Sequence, residues 1–293
     1  SENVTGFDVS DITVNGTKGT FSGSGSTYTL VVSTTDNSTY TQTVSVADNA
    51  CVDRAGNNNI GDNYTIQIDR VDPTVSVNTT SCDWRNSALS VTITTSDDYS
   101  GLYSGNEYQY FLSTDSATPT GGTWTNYSSG TDTITLNPGV SDIYYLFIKP
   151  IKDSVTDADK NISTSSSYHI YGEYKFDYDR PTITVAPLSS TWRNSALSVT
   201  ITNNDTGGSG LTSTTGEYFL STNVSPTTKP TGASVSGTYT SGTAFNINPE
   251  TSGEYYLFVK QIADNATNTS STTDYVTIGG VTYHRYGVYQ FDY

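Results

Sequence analysis

Methionine is absent from the 293 residues, histidine and cysteine occur twice each, and 13 basic side chains stand against 29 acidic ones, a net charge of −16. Each shortage excludes something. So few cations on so acidic a chain exclude a nucleic-acid partner, because phosphate is repelled and no counterions are released on contact. No apolar run approaches the roughly 18 residues that a membrane span needs. The start, Ser1-Glu2-Asn3-Val4, carries no basic-then-apolar leader pattern, so any export signal is removed or lies outside this stretch. His169 and His284 stand in no Ser-His-Asp or zinc-type spacing, and their equivalent places in two tyrosine-rich strands point to a structural role. Paired carboxylates such as Asp97 and Asp98 lie in polar loops, with no apolar pocket to raise a pKa. An enzyme is not expected.

What fills the chain instead is hydroxyl and tyrosine: 39 serines, 51 threonines and 23 tyrosines. Such low hydrophobicity with high charge often signals disorder, but the spacing of the apolar residues is regular. Leu89, Val91 and Ile93 alternate with Ser90, Thr92 and Thr94; Ile134 and Leu136 alternate with Thr133 and Thr135; Val44 and Val46 alternate with Thr43 and Ser45. That period of two gives strands with one apolar and one hydroxyl face. Gly, Asn, Asp and Ser clusters interrupt them every 8 to 12 residues or so, the rhythm of a β-sandwich. The chain also repeats itself. Trp84 to Thr94 recurs unchanged at Trp192 to Thr202, 108 residues later, and Tyr168-His169-Ile170-Tyr171-Gly172 returns as Tyr283-His284-Arg285-Tyr286-Gly287, 115 later. The expected organisation is all-β, a rod of three sandwiches spanning 1–70, 71–178 and 179–293, the last two homologous. Pro73 and Pro181 open the first strands of the second and third modules, where a missing N–H costs least.

Two motif sets carry a resemblance. Phe7-Asp8-Val9-Ser10-Asp11-Ile12-Thr13-Val14 with Asp53-Arg54-Ala55-Gly56-Asn57 resembles one group of bacterial Ig-like repeats of large surface proteins. Trp84 and Trp192, each followed by an Asp-and-Ser-Gly loop (Asp97 to Leu102, Asp205 to Leu211), resemble a second group. The resemblance implies tandem immunoglobulin-like sandwiches in an extracellular, cell-surface, prokaryotic protein. Such repeats occur in adhesins, stalks, layers and accessory parts of enzymes. The expected role is a non-catalytic part of a self-assembling surface filament, sheath or layer, with the stalk of a surface adhesin or a carbohydrate-binding accessory module as alternatives, and with copies of the chain or other surface components as partners. Against the family, the first module lacks a strand or two before Ser1; either they lie upstream in a longer protein or a strand from another molecule fills the place.

Several residues are candidates for binding. Cys51 and Cys82 occur only around the first linker, and the repeat partner of Cys82 is Ser190, so a disulfide stapling the first two modules is expected, with two free thiols as the alternative. Oxygen ligands in loops and linkers (Asp53, Asn57, Asp69, Asp72, Asp97, Asp98, Asp153 and Asp179) suit Ca²⁺ at the module junctions; a soluble acidic surface is the alternative. Sequons permit glycosylation at Asn15, Asn37, Asn63, Asn78, Asn126, Asn161, Asn204 and Asn265, although a chain so rich in Ser and Thr generates them by chance. Trp84 and Trp192 read as caps on the core or linker contacts, and Trp124 as an exposed sugar platform. Tyr171 and Tyr174, like Tyr286 and Tyr289, are three apart and should face opposite ways on a strand, which leaves one of each pair as an exposed interface tyrosine.

Overall fold

A computed structural model describes residues 2–33, 39–155 and 160–293. Nearly all regular structure is strand; one 3₁₀ turn, Val9–Asp11, is capped by Asp8. The strands sort into three groups, and among the described residues none pairs across residues 69–73 or 177–181.

The first group holds β1 (Val4–Thr5), β2 (Ile12–Val14), β3 (Thr17–Ser24), β4 (Thr27–Ser33), β5 (Tyr40–Val46), β6 (Val52–Asp53) and β7 (Asp62–Ile68). They form a sheet β2-β5-β7, a hairpin β3-β4 and a short pair β1-β6. Its interior is thin: among the described residues only Ile12 and Gln42 are fully buried. Phe7, Phe21 and Tyr28, with ring centroids 5.0–6.0 Å apart, hold the hairpin together, while Tyr64, Ile66 and Val31 stand exposed.

The second group holds β8 (Thr74–Val77), β9 (Cys82–Arg85), β10 (Leu89–Ser96), β11 (Gln109–Ser113), β12 (Thr125–Asn126), β13 (Thr131–Leu136), β14 (Asp142–Ile148) and β15 (His169–Phe176). Sheet β13-β10-β8 faces sheet β12-β11-β14-β15-β9, the two-layer solution for strands with one apolar face. The alternation in β10 does what its pattern dictates: Val91 and Ile93 are wholly buried, while the Thr92 hydroxyl meets that of Thr133 across the ladder at 3.0 Å. Leu146, Ile148, Tyr174 and Phe176 close the core from the other sheet, each contributing about 1.5–3 kcal/mol by burial.

The third group repeats this with β16 (Thr182–Ala186), β17 (Leu197–Asn204), β18 (Thr215–Ser221), β19 (Ser236–Thr240), β20 (Ala244–Ile247), β21 (Gly253–Lys260), β22 (Tyr275–Ile278) and β23 (Val281–Phe291), in sheets β16-β17-β20 and β19-β18-β21-β23-β22. The lengthened loop at Gly279-Gly280 is a two-residue hairpin turn, both residues left-handed (φ 58° and 82°), the conformation such turns require. It adds β22 to the sheet edge and seals a second small core of Phe219, Phe258 and Tyr283.

The tyrosine expectation fails for a local reason. Tyr144 pairs with Tyr174 and Leu146 with Tyr171, so three residues of β15 span two of β14; β23 does the same against β21. This bulge, at Gly172 and Gly287 with positive φ, flips the strand's parity. Tyr171 and Tyr174 therefore both turn inward, as do Tyr286 and Tyr289. Their hydroxyls donate to the backbone carbonyls of Val75, Thr79, Ile183 and Pro187, tying the last strand to the first segment of each module. Tyr174 and Tyr289 are wholly buried and Tyr171 and Tyr286 half-buried; none is a free interface residue.

The disulfide is likewise absent: Cys51 and Cys82 are free thiols. The register explains it. Tyr40 pairs with Ile68 beside the linker, while Val46 pairs with Asp62 six residues further on, about 20 Å away at strand rise. Cys51 lies beyond that far end, hydrogen-bonded to Asn59. Cys82 sits level with Tyr174, towards the opposite end of the second module. A bridge needs Cα atoms within about 7 Å.

Candidate functional site at the module joints

The strand that ends each module delivers an aspartate into the next. Asp69 follows β7 directly. Its Oδ2 accepts from the Ser100 amide at 3.0 Å, and its Oδ1 accepts from the Val71 amide at 3.0 Å and the Thr39 hydroxyl at 3.2 Å. Ser100 belongs to the loop after β10, which Asp97 folds on itself by accepting from the Gly101 amide at 2.6 Å and the Tyr99 amide at 3.3 Å. The third member, Asp153, lies after β14, bridged to Leu102 and wholly buried. Its Oδ2 accepts from Asn161 Nδ2 at 2.6 Å, and the same amide reaches the Asp69 carbonyl at 3.3 Å. One carboxylate oxygen from each of Asp69, Asp97 and Asp153 lies within 4.8 Å of the others.

The second joint repeats the first group for group. Asp177 follows β15 and accepts from the Ser209 amide at 3.1 Å. Asp205 folds its loop through the Gly210 amide at 2.8 Å. Asp264 is bridged to Leu211 and accepts the Asn268 amide and Nδ2, both at 2.8 Å. Asn268 Nδ2 also holds the Asp177 carbonyl at 2.9 Å, and its Oδ1 accepts from Asn86 of the second module at 3.0 Å. Asp177, Asp205 and Asp264 offer oxygens within 4.8 Å of one another, and Asp177 and Asp264 are essentially inaccessible to solvent. The loop is one residue longer here, and Gly207 makes room for it: a Cβ at that position would lie 1.7 Å from Asp177 Oδ1. Trp84 rests against Gly208, so one of the two repeat tryptophans packs on the following module.

Among the described residues neither cluster has a cationic partner. The ion pairs among the described residues (Lys149–Glu107, Lys175–Glu173, Lys229 and Lys260 with Glu217, Arg285–Asp274) touch none of the six aspartates. Burial pushes Asp205 above the ordinary carboxylate range, and repulsion from Asp177 and Asp264 adds to the rise. At Asp69 burial also acts upward, but the hydrogen bonds from Val71, Ser100 and Thr39 outweigh it and hold the carboxyl low. Asp97 Oδ1 and Asp205 Oδ1 are sealed from solvent with no donor among the described residues, and so is the Ser209 hydroxyl.

Of the eight oxygen residues expected to hold Ca²⁺, the structure gathers Asp69, Asp97 and Asp153. Asp53 and Asn57 instead close their own turn far from any joint, Asp53 accepting the Asn57 amide and Nδ2, both at 2.8 Å, bonds that lower its pKa. Asp72 and Asp98 point to solvent, and Asp179 is exposed, accepting from Ser141 at 2.7 Å. Asp177, Asp205 and Asp264 were not anticipated, although the repeat offset carries Asp69, Asp97 and Asp153 onto them.

Trp124 is not the exposed platform expected of it. It is half-buried between Phe111 at 5.6 Å and Tyr168 at 5.3 Å, with Lys149 over its ring. Trp192, by contrast, is 56% exposed, so it neither caps the core nor rests on a linker. Among the sequons, Asn15, Asn63, Asn78, Asn126 and Asn204 are exposed, and Asn37 lies outside the described residues. Asn161 commits Nδ2 inside the first joint, and Asn265 is exposed, its Nδ2 donating to the Ser209 carbonyl at 2.8 Å.

The histidines occupy equivalent places. His169 Nε2 meets the Ser163 hydroxyl at 2.8 Å and His284 Nε2 that of Ser270 at 3.3 Å. Burial lowers both pKa values below 6.5. Below that value the unfolded chain takes up a proton that buried His284 refuses. Its contribution to stability is therefore full above pH 6.5 and is lost as pH falls through the lowered folded value, at about 1.4 kcal/mol per pH unit. The coupled melting of the second and third modules should drop between pH 7 and pH 5, and His284→Asn should reduce that dependence, leaving the share of His169. Equal slopes in both proteins would remove His284 as the cause.

Residues 1–68 match the family model of a bacterial Ig-like domain. No curated protein matches the chain. Among the described residues no helix is long and apolar enough to cross a membrane.

Proposed function

We propose that this chain is a non-catalytic, extracellular structural array of Ig-like modules, part of a self-assembling surface filament, sheath or layer of a prokaryotic cell. The observation that carries the reading is the recurrence of the joint. Two successive junctions use equivalent residues, in the same hydrogen bonds, to seat one module on the next, so the same relation can be propagated along an array. The bacterial Ig-like match of residues 1–68 supports a surface setting. The sparse core of the first module, with hairpin β3-β4 as its second sheet and an outer edge of β4 that has no strand partner among the described residues, supports assembly by strand addition. With Trp124 half-buried in its own module, a carbohydrate-binding accessory role loses the platform expected of that residue.

Electron microscopy of the native, unfractionated protein tests this. Regular fibres, tubes or lattices with an axial repeat of two or three modules are expected. Isolated rods at every concentration would replace the assembly reading with the stalk of a surface adhesin.

A further inference from the structure

We propose that each joint binds one Ca²⁺ ion, held by Asp69, Asp97 and Asp153 at the first and by Asp177, Asp205 and Asp264 at the second. This deepens the array reading by naming the ligand of its joints.

Three carboxylates converge at each joint with no cation among the described ion pairs. Uncompensated burial of that much negative charge is costly, yet the arrangement occurs twice. Two further observations point to a ligand. Ser209 is only 7% exposed and its hydroxyl has no partner among the described residues, although its own amide lies on Asp177 Oδ2. One oxygen of Asp205, and the equivalent oxygen of Asp97, is sealed from water with no donor of its own. The backbone and asparagine amides already in place orient the carboxylates: Gly210 on Asp205, Asn268 on Asp264 and Ser209 on Asp177. What remains free on this side is acceptor capacity, all of it oxygen.

The geometry is compatible with Ca²⁺. Oxygens around one Ca²⁺ stand about 2.3–2.6 Å from it, so no two are separated by more than about 5 Å, and the oxygens of each trio lie within 4.8 Å of one another. Mg²⁺ prefers to keep several waters in a strict octahedron, and the burial of Asp153, Asp177 and Asp264 leaves little space for a hydrated shell. Bound Ca²⁺ would join the last residue of one module to two loops of the next and stiffen the joint.

The test is titration of the full chain with CaCl₂ in a background of MgCl₂, followed by calorimetry and by melting in EDTA and in saturating CaCl₂. Two ions per chain are expected, with a melting temperature roughly 5–10 °C higher in Ca²⁺. Asp153→Asn and Asp264→Asn should each remove one ion. Because Asp264 also organises its own loop, Asp205→Asn supplies the second variant. It should melt above the unsubstituted protein in EDTA, where repulsion is relieved, and below it in Ca²⁺. No binding heat, two ions retained in every variant, or Asp205→Asn destabilising equally in both media would each overturn the proposal. Fibres in the microscope with no Ca²⁺ bound would remove the ion and leave the array; Ca²⁺ bound by isolated rods would do the reverse.

Discussion

Gly207→Ala is expected to unseat the third module from the second. The added methyl would lie 1.7 Å from Asp177 Oδ1 and 2.3 Å from its Cγ, a separation that no rotamer of alanine relieves. Either Asp177 swings out and loses the Ser209 amide, or the 205–211 loop retreats and takes Gly208 away from Trp84 and Ser209 away from Asn265. Both routes leave buried polar groups unpaired, at about 1–3 kcal/mol each, and overpacking adds a similar amount. The coupling across the joint, which rests on Asn268, Asn86, Ser209 and Trp84, should not survive that loss. Calorimetry should show the second and third modules melting as one coupled unit in the unsubstituted chain and as two transitions in the variant. Thr206→Ala, one residue earlier and exposed, should leave the coupled transition intact. An unchanged transition in Gly207→Ala would mean that the carboxylate does not occupy the space above the glycine.

What could be read from the residues alone divides along a physical line. Alternation of apolar and hydroxyl residues is local, so β10, β13 and β5 were legible as strands, and β10 and β13 also show the expected inward faces, whereas in β5 Thr43 and Ser45 are as half-buried as Val44 and Val46. The repeat made two modules legible as copies. Asp69, Asp97 and Asp153 were legible only as acids in loops or linkers where modules should meet. Their companions in the list failed because proximity in sequence does not fix direction: Asp98 follows Asp97 and points to water, and Asp53 spends its oxygens on its own turn. The tyrosines failed at a single inserted residue, since one bulge reverses the face of everything beyond it. The cysteines failed on a non-local fact, the direction in which β5 and β7 run relative to the linker. Asp177, Asp205 and Asp264 were recoverable in principle by carrying the first joint through the repeat.

The first module is expected to open far more readily than its neighbours. Ile12 is the one apolar side chain fully buried among its described residues, whereas the second module buries Val91, Ile93, Leu146, Phe147, Ile148, Phe176 and others. Strand β7 is exposed along nearly its whole length and, among the described residues, pairs with a strand on one side only. Local stability follows buried apolar contact, and exchange-competent openings span the range from nearly zero to the global free energy. A difference of about 4 kcal/mol, two or three buried aliphatic or aromatic side chains, corresponds to about a thousandfold in opening. Hydrogen exchange should therefore find amides of β4 and β7 exchanging at least that much faster than those of β10, β14, β17 and β21 in dilute protein. The same measurement on assembled material separates two origins of the thin core. If a strand from a neighbouring copy completes the sandwich, protection of β4 rises steeply on assembly, because its open edge gains a hydrogen-bonded partner. If β4 exchanges equally fast in fibres and in free protein, strand addition is not how the copies join, and the contacts of any filament lie in the second and third modules.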